Sequence, residues 1–290
     1  MEPVQKMDLR TALLQGQKLL EDSAIAAPRL TAEVLLAHAI GCERSWLYAH
    51  SDEELREVWW IHYGRHLHDR LQGKPTQYIT GRQEFYGRDF RVTPDVLIPR
   101  PETEHVIEAF LAIAGAIERR DGPKAILDVG TGSGAIAVTL ALEATLENAR
   151  RVFASDISGA ALKVAAGNAS KLGAKVDFVC CDLGSAFRAS SFDVVVSNPP
   201  YVPESGRGAL QREVRDHEPA VALYGGADGF DVYRRLIPEA ARLLRPASWL
   251  IMELAYNAVE AVSEILRGWR DVQVTADLAG LPRVVTARRP

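Results

Sequence analysis

The sequence predicts an α/β fold in which a small all-helical domain precedes a larger domain with a mainly parallel sheet. Residues 1–74 carry apolar side chains only at helical spacing. From Lys124 onward, short apolar segments typical of strands alternate with helical segments, and this alternation specifies a parallel sheet with helices on both faces. We place a β-hairpin linker between the two regions. The predicted boundaries are therefore 1–74, 75–94 and 95–290.

The N-terminal domain contains three predicted helical segments. Residues 8–20 and 28–36 show the apolar spacing of the first two. Ser51 and Glu54 have the spacing of a helix cap and its partner, so we predict that the third helix begins there and runs to Leu71. This domain contains no chemical motif of its own.

The linker begins where Gly73 and Pro75 interrupt the helical pattern. Residues 77–92 are rich in aromatic and β-branched side chains around two glycines, which is typical of a β-hairpin. Residues 96–104 follow with the sequence VLIPRPETE, and residues 104–119 have helical spacing.

The larger domain shows the alternation of strands and helices along its whole length. The predicted strands are residues 125–129, 151–156, 175–180, 192–197, 248–254, 271–276 and 283–288. The predicted helices between them are residues 134–146, 158–172, 229–244 and 257–268.

Composition excludes several classes of protein. With 34 basic and 38 acidic residues the net charge is −4, whereas non-specific binding to nucleic acid needs a strongly basic surface. Three cysteines form neither a disulfide framework nor a zinc spacing. The histidines at positions 62, 66 and 68 lack an accompanying acidic ligand, so we expect no metal. Without a signal-peptide pattern or a long apolar run, we expect a cytoplasmic, monomeric protein with no membrane partner and no direct nucleic-acid partner.

Glycine and acidic residues follow the first three predicted strands of the larger domain. Asp128 precedes the glycine turn, residues 130–134, where glycines allow positive φ and close approach of a ligand. Asp156 ends the second strand and is placed to accept both ribose hydroxyls of an adenosine. Asp182 and Leu183 end the third, where they suit an adenine amine and the face of the base. Taken alone, the glycine turn could be only a tight strand-to-helix turn, and each of the acidic residues at the strand ends could be only a helix cap.

In an open α/β sheet, these strand ends meet along one crevice, where such sheets bind ligands. The combination resembles the S-adenosylmethionine site of Rossmann-like methyltransferases. The resemblance assigns cofactor binding to Gly130, Thr131, Gly132, Ser133, Gly134, Asp156, Asp182 and Leu183.

The fourth predicted strand ends in the Asn-Pro-Pro-Tyr corner, residues 198–201. Prolines fix φ and remove N–H donors, so this corner is stiff and has free carbonyl acceptors. The Asn198 side-chain oxygen and the Pro199 carbonyl can both accept from one NH2 group, while Tyr201 can stack on a flat substrate. Two acceptors that hold the hydrogens of a conjugated amine expose its lone pair to a methyl donor.

The corner predicts the chemistry better than the substrate. Adenine N6, cytosine N4 and a glutamine side-chain amide all suit it. The alternative without a substrate is that the corner is a structural turn with a surface tyrosine. We expect Asn198, Pro199 and Tyr201 to be catalytic and Asn198, Pro199, Pro200 and Tyr201 to hold the substrate amide.

The chain resembles the HemK/PrmC family of protein-glutamine N5-methyltransferases over nearly its whole length. The matching segments are PTQYI at 75–79, residues 81–90, VLIPRPETE at 96–104, LDVGTGSGAIA at 127–137, DIS at 156–158, NPPY at 198–201, and HEP with GGADG between 217 and 229. The glycine turn is common to many methyltransferases, whereas VLIPRPETE together with NPPY is much more specific.

The resemblance implies that the substrate is the glutamine of the Gly-Gly-Gln motif in class 1 peptide chain release factors. It also implies that the helical domain binds the release factor away from the reacting glutamine. Asn198 would contact both S-adenosylmethionine and the glutamine. Two alternatives remain at this point, a nucleic-acid amino-methyltransferase and a non-catalytic binding protein with this fold.

Two segments depart from the family pattern. Leu183 stands where an aromatic residue often lies beside the adenine, which predicts modestly weaker cofactor binding. Residues 253–257 replace a common Glu-Ile-Gly and a nearby glutamine. We expect that second departure to alter packing away from the cofactor and amide motifs.

Arg100, Glu102 and Glu104 either line the cofactor entrance or form surface ion pairs.

Overall fold

The computed structural model describes residues 7–115, 124–143 and 150–290, which form two compact units. The first unit extends to Gly81 and includes Gln211–His217. The second comprises Arg82–Leu210 and Glu218–Pro290. The predicted domain boundaries stay a prediction, because contacts define compact units and not independently folding domains.

Helices account for the first unit and cover the sheet of the second. In the described residues they are α1 (Leu9–Asp22), α2 (Pro28–Ile40), α3 (Arg44–Ala49), α4 (Glu57–Leu71), α5 (Thr76–Thr80), α6 (Glu104–Ile113), α7 (Ala135–Glu143), α8 (Gly159–Leu172), α9 (Arg212–His217), α10 (Ala220–Leu223), α11 (Asp231–Leu243) and α12 (Val259–Ile265). Short 3-10 helices lie at Pro101–Thr103 and Glu204–Ala209. None of the described helices is long and apolar enough to cross a membrane.

The strands are β1 (Arg82–Phe85), β2 (Arg88–Arg91), β3 (Lys124–Val129), β4 (Arg150–Asp156), β5 (Val176–Cys180), β6 (Phe192–Ser197), β7 (Leu244–Glu253), β8 (Arg270–Ala276) and β9 (Pro282–Arg288). β1 and β2 form a hairpin, and the others form a sheet of order β5-β4-β3-β6-β7-β9-β8. β3 to β7 run parallel, whereas β9 is antiparallel to both its neighbours. The predicted α/β fold with its Rossmann-like sheet is confirmed.

The first unit packs around a core of leucines, alanines and one tyrosine, including Leu9, Leu35 and Tyr63. The predicted helix start at Ser51 is wrong, because α4 begins at Glu57. Residues 51–55 instead hydrogen-bond to the start of α1, where the amide of Leu9 donates to the Glu53 carbonyl. Partners distant in sequence satisfy the backbone there, so the local capping pattern does not start a helix.

α9 also belongs to this first unit. The buried Arg70 of α4 forms an ion pair with Glu213 of α9, with 2.5 Å between nitrogen and oxygen. This pairing explains why a segment so late in the chain is part of the helical unit.

The central strands β3, β6 and β7 are largely buried, because helices cover both faces of the sheet and alternate residues of each strand point to opposite sides. Ile126 and Val194 face one apolar cluster, which α6 and α7 complete. Leu127 and Val195 face the other, which α11 and α12 complete. The predicted helices at 104–119 and 134–146 correspond to α6 and α7, and their predicted ends lie outside the described residues.

The predicted hairpin is present in the second unit, with a two-residue turn at Tyr86 and Gly87, but its predicted start at residue 77 is wrong because residues 76–80 form α5. Both turn residues have positive φ, which matches the twist of a tight hairpin. The buried Asn168 of α8 accepts from the amide of Arg91 and donates to the carbonyls of Arg91 and Ser133. This side chain therefore links the hairpin to the glycine turn.

Candidate active site

A pocket opens at the carboxyl ends of the parallel strands, where β3 has β4 on one side and β6 on the other. Strand order reverses at that point, and open α/β sheets bind ligands there. The pocket has a volume of about 840 Å³ including its open mouth, within the range of small-molecule sites. Its described lining is Leu97, Val129, Gly130, Gly132, Asp156, Ile157, Asp182, Leu183, Ser197, Asn198, Pro199, Pro200, Val221, Ala222, Val232, Arg235 and Leu236.

The glycine turn presents its backbone to this pocket. Gly130 and Gly132 have φ of +74° and +55°, and nothing lies within 4 Å of the position where either would carry a Cβ. That open space admits a ligand against the main chain. Gly134 has a different role, because its Cβ would lie 3.1 Å from the side chain of Ala165 on α8.

Two other residues of the glycine turn do not belong to the described pocket lining. The Thr131 hydroxyl donates to Asp128 at 2.6 Å. Ser133 is buried, and its carbonyl accepts from Asn168 at 2.8 Å. In this structure both residues hold the shape of the turn.

Asp128 is fully buried beneath the glycine turn. Its Oδ2 accepts from the Thr131 hydroxyl and from the amide of Ala137 at 3.2 Å, while Oδ1 has no hydrogen-bond partner in the described structure. Burial raises the pKa of this carboxyl from 3.8 to about 7. The sequence pattern pointed to this residue, but we assigned it no role.

Asp128→Asn is expected to stabilise the protein at alkaline pH. The raised pKa means that the folded state binds a proton more tightly than the unfolded chain, so stability falls as the pH rises from about 4 to about 7. Without this titration, the free energy of unfolding at pH 8 should exceed the wild-type value by roughly 2–4 kcal/mol, at about 1.4 kcal/mol for each pKa unit. Urea unfolding at pH 5 and pH 8 measures the difference.

The control is Asp177→Asn, which removes an exposed carboxylate from β5. It should show no comparable gain at pH 8. A gain in Asp128→Asn that is the same at both pH values would contradict the assignment to proton binding.

Two further carboxylates lie where the sequence predicted them. Asp156 accepts from the amide of Gly132 and from the amide of Ser158, both at 2.9 Å. Ser158 itself caps α8, so Asp156 is not the cap of that helix. Asp182 lines the pocket and pairs with Arg235 of α11 at 2.5 Å. Sequence reasoning missed Arg235, because no motif surrounds it.

Next to Asp182, Leu183 adopts a left-handed conformation with φ of +50° and also lines the pocket. The structure therefore brings together eight of the predicted site residues at one pocket. They are Gly130, Gly132, Asp156, Asp182, Leu183, Asn198, Pro199 and Pro200.

The Asn-Pro-Pro-Tyr corner contacts a buried acid that the sequence did not predict. The Asn198 amide nitrogen donates to the Thr103 hydroxyl at 3.0 Å, and that hydroxyl donates to Glu253 at 2.6 Å. The Tyr201 hydroxyl donates to the other oxygen of Glu253 at 3.3 Å. Tyr201 is not part of the described pocket lining, and its ring packs against the core cluster on the α11 face.

The expectation that residues 253–257 lie away from the amide motif is therefore wrong. Glu253 is 1% exposed and contacts the corner directly, and the amide of Ala255 donates to the Tyr233 hydroxyl. Burial raises the pKa of Glu253 to about 7. The order of elements along the sheet places the end of β7 beside the end of β6.

A second loop holds the corner through its backbone. The amide of Val202 donates to the Leu223 carbonyl and the amide of Gly225 donates back to Val202, both at 2.9 Å. A Cβ on Gly225 would lie 2.7 Å from the Pro200 carbonyl oxygen, and one on Gly229 would lie 2.5 Å from that of Tyr201. The glycines of the GGADG segment therefore allow this loop to contact the corner main chain to main chain.

Two of the three charged residues at the start of α6, Arg100 and Glu104, have structural partners. Arg100 pairs with the buried Glu218 at 2.6 Å, and Glu218 also accepts from the amide of Ile98. Glu104 accepts from the amide of Tyr86. Of this segment, the described lining includes Leu97 but not Arg100, Glu102 or Glu104.

Both parts of the chain match known proteins. The PrmC N-terminal domain model matches residues 11–81, and the methyltransferase small domain model matches residues 112–215. Release factor glutamine methyltransferases of Koribacter versatilis and Moorella thermoacetica are 46% and 44% identical, each over 98% of this chain and 99% of the relative. That of Bacillus subtilis is 41% identical over 88% of this chain and 90% of its own.

Among solved structures, the catalytic domain of hMettl16 in complex with the MAT2A 3′UTR hairpin 1 has a TM-score of 0.54. It is 15% identical and covers 78% of this chain and 83% of its own, so the likeness concerns the fold alone.

The fold and the strand-end pocket define an S-adenosylmethionine-dependent methyltransferase. The side chains around the corner, the helical unit and the near-full-length matches narrow this class further. The chain belongs to the release factor glutamine methyltransferase family.

Proposed function

We propose that this enzyme transfers a methyl group to the side-chain amide nitrogen, N5, of the glutamine in the Gly-Gly-Gln motif of class 1 release factors. The observation that carries the proposal is the orientation of the Asn198 side-chain amide. Its nitrogen donates to Thr103, so its oxygen is the acceptor that remains for a ligand in the pocket. The full-length similarity to release factor glutamine methyltransferases supports the choice of substrate.

The residues of the pocket fit S-adenosylmethionine. The open positions beside Gly130 and Gly132 leave room for its methionine end against the backbone. Asp156 offers carboxylate oxygens for the ribose hydroxyls, and Asp182 with Leu183 suits the adenine. When bound, the cofactor supplies an electrophilic methyl group on a positively charged sulfur.

The corner prepares the amide for transfer. The Asn198 oxygen and the Pro199 carbonyl accept the two amide hydrogens and turn the nitrogen lone pair toward the methyl group. Because an amide nitrogen is a weak nucleophile, positioning and hydrogen bonding provide much of the rate. With the cofactor bound, the amide nitrogen would take the methyl group from the sulfur, and Asn198 and Pro199 would hold the amide until one of its protons is released.

Tyr201 ends the corner, directly after Pro199 and Pro200 of the enzyme. Its hydroxyl is held by Glu253, and burial raises its pKa above the ordinary value. Its hydroxyl is therefore not a base. Because its ring packs against the core cluster and lies outside the described pocket lining, Tyr201 supports the corner from behind and does not stack on the amide as predicted.

The helical unit is proposed to bind the release factor away from the reacting glutamine. The match of residues 11–81 to the PrmC N-terminal domain model supports this division of roles. We further propose that the enzyme acts as a monomer in the cytoplasm, where translation terminates, and needs no direct contact with nucleic acid.

The test is transfer of labelled methyl from S-adenosylmethionine to a purified class 1 release factor. A copy with the Gly-Gly-Gln glutamine replaced by alanine and a duplex DNA serve as parallel acceptors. Label on the intact factor alone is the expected result. Label on the DNA, or equal label on both release factors, would overturn the proposed substrate.

A further inference from the structure

The Asn198 amide is held by a chain of hydrogen bonds that ends at a buried acid. Glu253 at the end of β7 and Thr103 before α6 are 1% and 4% exposed, and they lie in series behind Asn198. We infer that Glu253, acting through Thr103, is a positioning residue that determines which end of the Asn198 amide faces the substrate. This inference rests on the function proposed above, because it concerns how the corner receives a glutamine amide.

The donor-to-acceptor direction of these hydrogen bonds follows from which groups can donate a hydrogen. An ionised carboxylate only accepts, so the single hydroxyl hydrogen of Thr103 is used in the 2.6 Å contact with Glu253. The Thr103 oxygen can then only accept from its other neighbour. Asn198 must therefore turn its NH2 group toward Thr103, as the 3.0 Å contact has it, and its carbonyl oxygen remains for the ligand.

The opposite orientation of the Asn198 amide would prevent it from binding the substrate amide. A Thr103 hydroxyl released from Glu253 can donate to the Asn198 oxygen, and the amide then turns its NH2 group to the pocket. An NH2 group cannot accept a hydrogen from the substrate amide, so two donors would face each other. The oxygen and the NH2 group of an asparagine are similar in size, so the hydrogen-bond partners decide which of them faces the pocket.

The same carboxylate also holds the other end of the corner. Its second oxygen accepts from Tyr201, and its backbone carbonyl accepts from Tyr233. A single acidic side chain therefore sets both Asn198 and Tyr201, although 52 residues separate Glu253 from Tyr201 in the chain.

The charge state of Glu253 depends on groups from several elements. Burial raises its pKa to about 7, Thr103, Arg283 and Tyr201 act to lower it, and Glu102 acts to raise it. The carboxyl therefore loses its proton as the pH rises through neutrality. A protonated Glu253 can itself donate to Thr103, which releases the hydroxyl hydrogen and with it the orientation of Asn198.

The experiment compares three variants of the full-length enzyme with the wild type in methyl transfer to the release factor at pH 8. Thr103→Val keeps the size of the side chain and removes both hydrogen bonds, and we expect kcat to fall by about 10- to 100-fold. Thr103→Ser restores the hydroxyl and should recover most of the activity. The matched control is Thr139→Val, because Thr139 is fully buried on α7 and its hydroxyl has no partner in the described structure.

The pH profile separates positioning from a purely structural role. Wild-type kcat/KM should rise through about pH 7 as Glu253 ionises. Glu253→Gln should be slower than wild type, should lack this rise and should unfold at no lower a temperature. Thr103→Val should lack it as well, because the link between the acid and the asparagine is cut.

The outcomes distinguish this inference from the proposed function. A wild-type enzyme that leaves the release factor unlabelled would refute the proposed function. A wild type that labels it, with Thr103→Val as active as Thr139→Val or with an unchanged acid limb in Glu253→Gln, would refute the positioning role alone.

Discussion

Asn198→Ala is expected to reduce kcat for methyl transfer by about 10²- to 10³-fold while the protein stays folded. The variant removes the acceptor that holds one hydrogen of the substrate amide, and loss of one such polar contact in the transition state has an effect of this size. The side chain is partly exposed at the pocket wall, and its hydrogen bond in the described structure is the one to Thr103. Removing it leaves no large cavity.

Single-turnover methyl transfer to the release factor, with both substrates saturating, measures this effect on the chemical step. Asn257→Ala provides the control, because it removes an exposed asparagine shortly after β7. We expect Asn257→Ala to retain nearly wild-type turnover. A rate for Asn198→Ala within a few-fold of that control would refute the amide-holding role of the corner.

Gly229→Ala should both destabilise the protein and slow methyl transfer. Gly229 is buried with φ of +87°, and an added Cβ would lie 2.5 Å from the Tyr201 carbonyl oxygen. Backbone must move to relieve such a contact. Left-handed strain and overpacking together predict a loss of roughly 2–4 kcal/mol in the free energy of unfolding. Because the displaced backbone is that of the corner, kcat should fall by about 10²-fold, as expected when a reacting group moves by about 1 Å.

Gly208→Ala is the matched control. Gly208 is exposed, its φ is not in the left-handed region, and nothing lies within 4 Å of its Cβ position. Urea unfolding and methyl transfer should both remain close to wild type in this variant. If Gly229→Ala behaves like Gly208→Ala in both measurements, the loop does not constrain the corner.

Much of the fold could be read from the sequence because short apolar segments alternate with helical ones. Ile126 and Leu127, for example, point to opposite buried faces of β3, as a central parallel strand requires. The glycine turn and the acids after β4 and β5 were predictable for a related reason, because the carboxyl ends of parallel strands meet at one edge of the sheet.

The residues that complete the site could not be read in this way. Thr103 and Glu253 are separated by 150 residues, and they meet because α6, which begins directly after Thr103, packs against β7. Arg235 reaches Asp182 from the side of α11 and stands in no recognisable pattern. At Ser51 the local sequence predicted a helix start, but residues 51–55 form backbone hydrogen bonds with the start of α1 instead.

The hydrogen bonds of Asn168 have a consequence for how the enzyme meets its cofactor. This buried side chain fixes the Ser133 carbonyl and both backbone groups of Arg91, so the glycine turn is already ordered when a ligand arrives. A loop that is rigid beforehand loses little conformational entropy on binding, and more of its contact energy is available as affinity. A substitution inside α8, which lines no part of the described pocket, would then be measured as a weaker Kd for S-adenosylmethionine.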